Sequence, residues 1–227
     1  MIRSVAETGS TNEDVAALAR GGAEEGLWLR ADRQTGGKGR QGRQWESPSG
    51  NLYASTIVRL RSGDPPAPSL ALVAAVALHE AVSHHADGIT IKWPNDLVVD
   101  GAKLAGILLE REGDAVIAGF GVNLAACPEK VERPVTSLRQ LTNAAPEPAA
   151  LLQTLADAFG QRVRRWRSQG MDELRQAWLD RAHPLGTPLV TSEGAGAFAG
   201  LESDGALRLR LADGTSRVIH AGDVFLI

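Results

Sequence analysis

The sequence predicts an α+β protein, with a mixed, mainly antiparallel sheet and packed helices, followed by a small all-β barrel. Three observations predict it. Residues 90–124 hold closely spaced strand-like segments separated by polar turns at Pro94-Asn95-Asp96 and Asp100-Gly101. Ser69 to His85 is apolar nearly all round, as in a helix buried against a sheet. From Leu185 onward the chain has glycines at 186, 194, 196, 200, 205, 214 and 222 and strict alternation at Leu207-Arg208-Leu209-Arg210-Leu211.

Each element has a local reason. Ser10-Thr11-Asn12-Glu13 is a helix cap with Glu three residues on; Val15, Ala16, Leu18 and Ala19 follow, and Arg20-Gly21 closes the helix. Leu27 to Ala31 and Leu52 to Leu60 read as strands, and a Pro-rich break at 65–68 precedes the buried helix, on which His79, His84 and His85 fall. Thr90 to Trp93, Leu97 to Val99, Ala102 to Glu110 and Ala115 to Leu124 are the next strands. Glu147 to Ala182 is helical again, with Leu151, Leu155, Phe159 and Val163 on one stripe and Trp178 in a second segment. Pro184 and Gly186 mark the boundary before the barrel, dividing the chain at 1–183 and 184–227.

Composition narrows the function. At 227 residues with 43% hydrophobic content the chain has enough apolar material for a core, and its net charge of −3 argues against general nucleic-acid binding. Cys127 is the single cysteine, so a disulfide framework or thiolate metal site is excluded and a reducing compartment fits. No uncharged apolar run reaches spanning length, and the first residues lack the apolar core of a signal peptide. The expectation is a cytoplasmic protein.

The most informative segment is Gly36-Gly37-Lys38-Gly39-Arg40-Gln41-Gly42-Arg43-Gln44-Trp45. Its glycines free backbone N–H groups to turn inward, three cations supply charge and Trp45 a flat apolar face, which together suit a phosphate. No Gly-Lys-Ser/Thr follows the spacer, so this is not the phosphate loop of nucleotide hydrolases. Lys103 alternates on its strand with Ala105, Ile107 and Leu109. A cation there needs an anion or a route to water, and a lysine stem near a hairpin end supplies that route unaided. Gly106 in mid-strand favours close approach by a ligand or another backbone. Lys92-Trp93-Pro94-Asn95-Asp96 reads as a strand end and turn, with Asn and Asp bonding the backbone. Gly119-Phe120-Gly121-Val122-Asn123 suggests a base or ring lying on bare backbone.

Taken in order, Ser10-Thr11-Asn12, Gln34 with the Gly37 to Trp45 loop, Lys92 to Asp96, Lys103 to Leu108 and Gly119 to Asn123 resemble the biotin protein ligases. The similarity runs over residues 7–125; the later helices and barrel match more loosely. The resemblance implies a class II synthetase-like catalytic domain and an SH3-like barrel, in the monofunctional form without an N-terminal DNA-binding domain. It implies ATP-dependent conversion of biotin to biotinyl-5′-adenylate, with Mg2+, and transfer to a lysine of a biotin carboxyl carrier domain of acetyl-CoA carboxylase or a related carboxylase. A monomer or homodimer with no nucleic-acid or membrane partner is expected. By the same resemblance Lys103 and Arg40 are catalytic. Ser10, Thr11, Asn12, Gln34, Gly37, Lys38, Gly39, Lys103, Gly106 and Leu108 bind biotin. Lys38, Gly39, Arg40, Arg43, Trp45, Asn95 and Asn123 bind ATP or adenylate, and no metal ligands are assigned. Lys38 departs from the family's usual first loop arginine and loses its bidentate fork. Two alternatives stand beside this reading: a lipoate or octanoate protein ligase of the same architecture, and a non-catalytic nucleotide or RNA binder using Arg40, Arg43 and Trp45.

Overall fold

The computed structural model describes residues 1–128 and 133–226; residues 129–132 and 227, which fall within the two expected segments, lie outside the described residues. Seven strands form the first sheet: β1 (Ile2–Thr8), β2 (Trp28–Gln34), β3 (Leu52–Arg59), β4 (Thr90–Lys92), β5 (Asp96–Val99), β6 (Ala102–Glu112) and β7 (Ala115–Val122). Their order is β1-β2-β3-β7-β6-β5-β4. Only β1 and β2 run parallel; the other neighbours are antiparallel, so the sheet is mixed and mainly antiparallel. β1 has no counterpart in the sequence reading because it buries almost nothing: Ile2 and Val5 stay exposed, and the strand is held by its ladder to β2 rather than by an apolar face.

The two faces of the sheet follow from strand alternation. Ala54, Val58, Val116, Ala118 and Phe120 point to one face, under α2 (Leu70–Val82) and α4 (Pro148–Leu179). Ile57, Ala115 and Ile117 point to the other, under α1 (Thr11–Arg20). α1 has only 10 residues and covers only part of its face. Farther along β6 and β7, residues on that face line an open cleft. α2 is apolar all round because α4 and the sheet enclose it, as its composition requires. It ends at Val82, so His84 and His85 lie beyond the helix and are exposed, contrary to their expected place on it.

α4 is two helices joined at Gly170, whose φ of 72° and ψ of −152° break the helical path. Arg162 pairs with Glu80 of α2 and lies 3.0 Å from Glu173. In an unbroken helix those 11 intervening steps span about 16 Å, so the chain must double back at Gly170 for the pair to form. The second half carries Trp178 against Phe198 and Arg175 against the Leu201 carbonyl. Between the halves of the chain lies α3 (Leu138–Thr142), a short helix with a Ser137/Gln140 capping box.

β8 (Pro188–Thr191), β9 (Gly194–Leu201), β10 (Leu207–Arg210), β11 (Ser216–Ile219) and β12 (Val224–Leu226) form a five-stranded antiparallel sheet, ordered β11-β10-β9-β8-β12, where the small barrel is expected. Leu207 and Leu209 point inward as their alternation predicts, and this sheet shares one continuous core with α2 and α4. Trp93 reinforces the junction by donating Nε1–H to the Gly205 carbonyl at 3.1 Å.

Two half-buried histidines make the fold sensitive to acid. His79 faces the Ile89 carbonyl, and burial pushes its pKa below the usual range; burial and then the charge of Lys92 do the same for His183. The unfolded chain takes up these protons first, so stability is full above about pH 6.5 and falls as pH drops below it. The melting temperature followed by circular dichroism is expected to fall between pH 7 and pH 5. A His79→Gln/His183→Gln variant should show a flatter profile, and an unchanged slope assigns the effect elsewhere.

Candidate functional site

The open part of the α1 face is a cleft of about 680 Å³. It is lined by Ser10, Thr11, Asn12, Gln34, Lys38, Gly39, Arg40, Arg43, Trp45, Asn95, Lys103, Gly106, Leu108 and Asn123, so nearly all the residues singled out in the sequence meet there. Gly37 lies beneath the loop instead. A Cβ on it would sit 2.6 Å from the Trp45 carbonyl and 2.9 Å from Ser47 Oγ, so its part is to let the loop fold down.

The loop is a small hairpin. Trp45 N–H donates to Gly37 O at 2.9 Å, Gly39 N–H donates to Arg43 O at 2.7 Å, and Gln41 at the tip takes the left-handed conformation with φ 58°. This brings the Trp45 indole down on β6 and β7 where Gly106 and Gly121 face each other across the ladder. A Cβ at Gly121 would stand 2.6 Å from the ring, and one at Gly106 3.1 Å from it. The ring expected on bare backbone is therefore the protein's own Trp45. Its Nε1–H is buried without a partner. Two residues back along β7, or about 7 Å, Gly119 leaves space that the Asn12 carboxamide fills.

β6 reaches the cleft by a correction to its phase. Simple alternation groups Lys103 with Ala105, Ile107 and Leu109. The register with β5 instead slips between Leu97 and Val98, which pair with Ala105 and Lys103 respectively. The bulge turns Lys103 to the same side as Gly106 and Leu108, while Ala105 and Ile107 pack in the core. Lys103 Nζ lies 2.7 Å from Asp96 Oδ1 and 5.2 Å from the Trp45 ring centroid, and Lys92 Nζ reaches the other Asp96 oxygen at 3.3 Å. Lys103 has both the anion and the route to water that its position demands.

A polar cluster occupies the Gly119 end. Thr11 N–H donates to Gln34 Oε1 at 2.9 Å, and Gln34 Nε2–H donates to Ser47 Oγ at 3.2 Å. Asn12 Nδ2–H donates to Glu110 Oε2 at 2.7 Å, and Ser55 Oγ lies 2.8 Å from Thr11 Oγ1 and 2.6 Å from Asn12 Oδ1. The Ser10 side chain makes no cap bond, contrary to the capping signal; at the helix N-terminus the Thr11 amide is taken by Gln34 instead.

At the mouth, Arg43 meets Asp223 at 2.9 Å, with Arg40 at 3.7 Å and Arg133 at 3.8 Å from the same carboxylate. Arg40 also donates to the Gly222 carbonyl at 3.1 Å and to Asn95 Oδ1 at 3.4 Å. Burial works to raise the Asp223 pKa, but the Arg43 hydrogen bond and the three guanidinium charges outweigh it and hold the carboxyl below its usual range. Lys38 pairs with Glu13 at the rim, where hydrogen bonding to that carboxylate raises its pKa. Asn95 and Asn123 brace the backbone, donating to the carbonyls of Ile107 and, at 3.1 Å, Thr136. Sequence reasoning missed Asp96, Asp223, Arg133, Ser55 and Glu110. Asp96 stood in a quoted motif but was read as a turn former. The others carry no local pattern and converge only through the fold.

The sequence matches the model of the Biotin/lipoate A/B protein ligase family over residues 9–124 and that of the Biotin protein ligase C terminal domain over 195–227. It is 39% identical to the biotin–[acetyl-CoA-carboxylase] ligase of Paracoccus denitrificans, over 97% of this chain and 98% of that protein. The structure resembles the biotin protein ligase of Aquifex aeolicus solved with biotin and ATP, with TM-score 0.89 and 25% identity over 100% and 99% of the two chains. It also resembles that of Leishmania major solved with biotinyl-5-AMP, with TM-score 0.68 and 27% identity over 97% and 98%.

Proposed function

The chain belongs to the biotin/lipoate A/B protein ligase family, and from that premise we propose that it activates biotin with ATP and transfers the biotinyl group to a carrier-protein lysine. The observation that carries the reading is a single cleft in which a hydrogen-bonding cluster suited to a cyclic urea, the cation of Lys103 and the loop arginines stand in succession.

In the first step a biotin carboxylate oxygen attacks the α-phosphorus of ATP and pyrophosphate leaves; in the second a lysine amine attacks the acyl carbonyl and AMP leaves. Bringing anion to anion makes positioning and charge neutralisation the main task. Lys103 supplies the central cation, aimed by Asp96. Ser10, Thr11, Asn12 and Gln34 meet the ureido head, and Gly106 and Leu108 line the acyl chain. Trp45 closes the slot over Gly106 and Gly121, so it shields the acyl chain as well as offering a face to adenine. Arg40 and Arg43 hold phosphate, with Lys38 and Gly39 bordering them. A Mg2+ ion carried by ATP would add positive charge at the phosphates; among the described residues there is no group of three His, Cys, Asp or Glu side chains suited to hold a metal. Residues 1–183 serve as the catalytic domain and 184–227 as a cap whose Asp223 orders the loop arginines. The acceptor is a biotin carboxyl carrier domain, and a cytoplasmic site is consistent with the lack, among the described residues, of any helix able to cross a membrane. The polar cluster favours biotin over lipoate or octanoate, whose heads offer it no N–H groups. Calorimetric titration with biotin and with lipoate tests this, and tighter lipoate binding overturns it.

Arg40 has a separable role in retaining the intermediate. Arg40→Gly removes charged hydrogen bonds to phosphate, each worth roughly 1.5 to 3 kcal/mol, so adenylate release should quicken by about ten-fold or more. The variant is expected to consume ATP and biotin while labelling serum albumin, read by streptavidin blot. A variant still specific for its carrier removes Arg40 from this role.

A further inference from the structure

We propose that Ser55 and Glu110 are positioning residues that set the polarity of the head-group site, leaving Thr11 Oγ1 as an acceptor that selects an acid whose head carries N–H groups. The inference rests on the biotin reading and deepens it. Glu110 starts the chain of reasoning, because a carboxylate only accepts. Its Oε2 takes an Asn12 Nδ2 proton at 2.7 Å, which turns Asn12 Oδ1 toward Ser55 Oγ, 2.6 Å away. Oδ1 has no proton, so the Ser55 hydroxyl donates there. Ser55 Oγ is also 2.8 Å from Thr11 Oγ1 and shares the same proton with it, because the Thr11 hydroxyl proton goes elsewhere. Thr11 Oγ1 donates to Gln34 Oε1 at 3.0 Å, an amide oxygen whose second lone pair takes the Thr11 backbone N–H at 2.9 Å.

The protons thus run from Ser55 to Thr11 and Asn12, from Thr11 to Gln34, and from the Asn12 amide to Glu110. With its own proton committed to Gln34, Thr11 Oγ1 has a lone pair left for a ligand. A cyclic urea meets it with an N–H; a dithiolane or alkyl head leaves it unpaired, and an unpaired buried acceptor is how polar sites reject analogues. Ser55 has 0% exposed surface even with the cleft open, so it acts through Thr11 and Asn12 rather than by touching substrate. Gly119 admits the arrangement, since a side chain there would overlap the Asn12 carboxamide.

Steady-state kinetics of pyrophosphate release and calorimetry with biotin, lipoate and ATP on the full chain test the proposal. Ser55→Ala and Glu110→Met are expected to raise KM for biotin about ten-fold or more, with kcat at saturating biotin and KM for ATP within about two-fold of the parent. The preference for biotin over lipoate should shrink by a similar factor. Glu110→Gln, which keeps an acceptor oxygen, should restore the parent KM. Unchanged KM for biotin in Ser55→Ala and Glu110→Met, or equal losses toward biotin and ATP, overturns the proposal. A parent protein that fails to bind biotin overturns the functional reading itself, which the parent titration reveals before any variant is made.

Discussion

Replacing Lys103 with glutamine is expected to slow adenylate formation by about two to three orders of magnitude, since one preorganised donor at a developing charge is worth roughly 3 to 4 kcal/mol. Glutamine keeps a donor and most of the length but not the charge. Asp96 retains Lys92 at 3.3 Å, so its carboxylate is not left unpaired and the fold should persist. Pyrophosphate release from ATP and biotin measures the first step, and transfer from added biotinyl-adenylate measures the second, which should suffer less. A variant with an unchanged melting temperature and near-parental adenylation would reduce Lys103 to a solvated strand lysine.

The second large effect is expected at Gly121. Valine there places carbon against the Trp45 ring, where even a Cβ stands 2.6 Å away, and β7 cannot retreat because it is paired on both sides with β3 and β6. The loop must lift instead. Overpacking of this kind costs about 1 to 3 kcal/mol, or roughly five- to a hundred-fold in affinity for a ligand that binds under the loop. Calorimetry with biotin and limited proteolysis of the loop measure it: weaker binding with faster cleavage between Lys38 and Arg43 is expected. Parental affinity with an intact loop would show that the indole is free to rest elsewhere.

Much of this was legible in the sequence because several constraints are local. Alternation in β3, β7 and β10, the apolar circumference of α2, and the glycines of the loop and of β7 each report a face or an approach within a few residues. The candidate residues came together in the cleft for the same reason: their segments abut turns and strand ends that the topology gathers on one face. What escaped is non-local. β1 is held by a ladder and has no buried face to imprint a pattern. The reversal at Gly170 is dictated by contacts from Arg162 to Glu173 that no periodicity encodes. The bulge in β6 changed which side Lys103 shares, because register belongs to a strand pair rather than to one strand. Asp223 lies 180 residues from Arg43 in sequence.

The resting place of Trp45 carries a further consequence. Its indole covers a stretch of two strands that have no side chains of their own, so the closed loop is held there by exclusion of water from a bare peptide ladder. Its Nε1–H meanwhile finds no acceptor. A buried donor left unmatched is a standing penalty of about 1 to 3 kcal/mol. The closed loop is therefore frustrated: apolar contact favours closure and an orphan proton opposes it. A ligand that slides an oxygen within reach of that proton relieves the conflict, and one that brings only carbon does not.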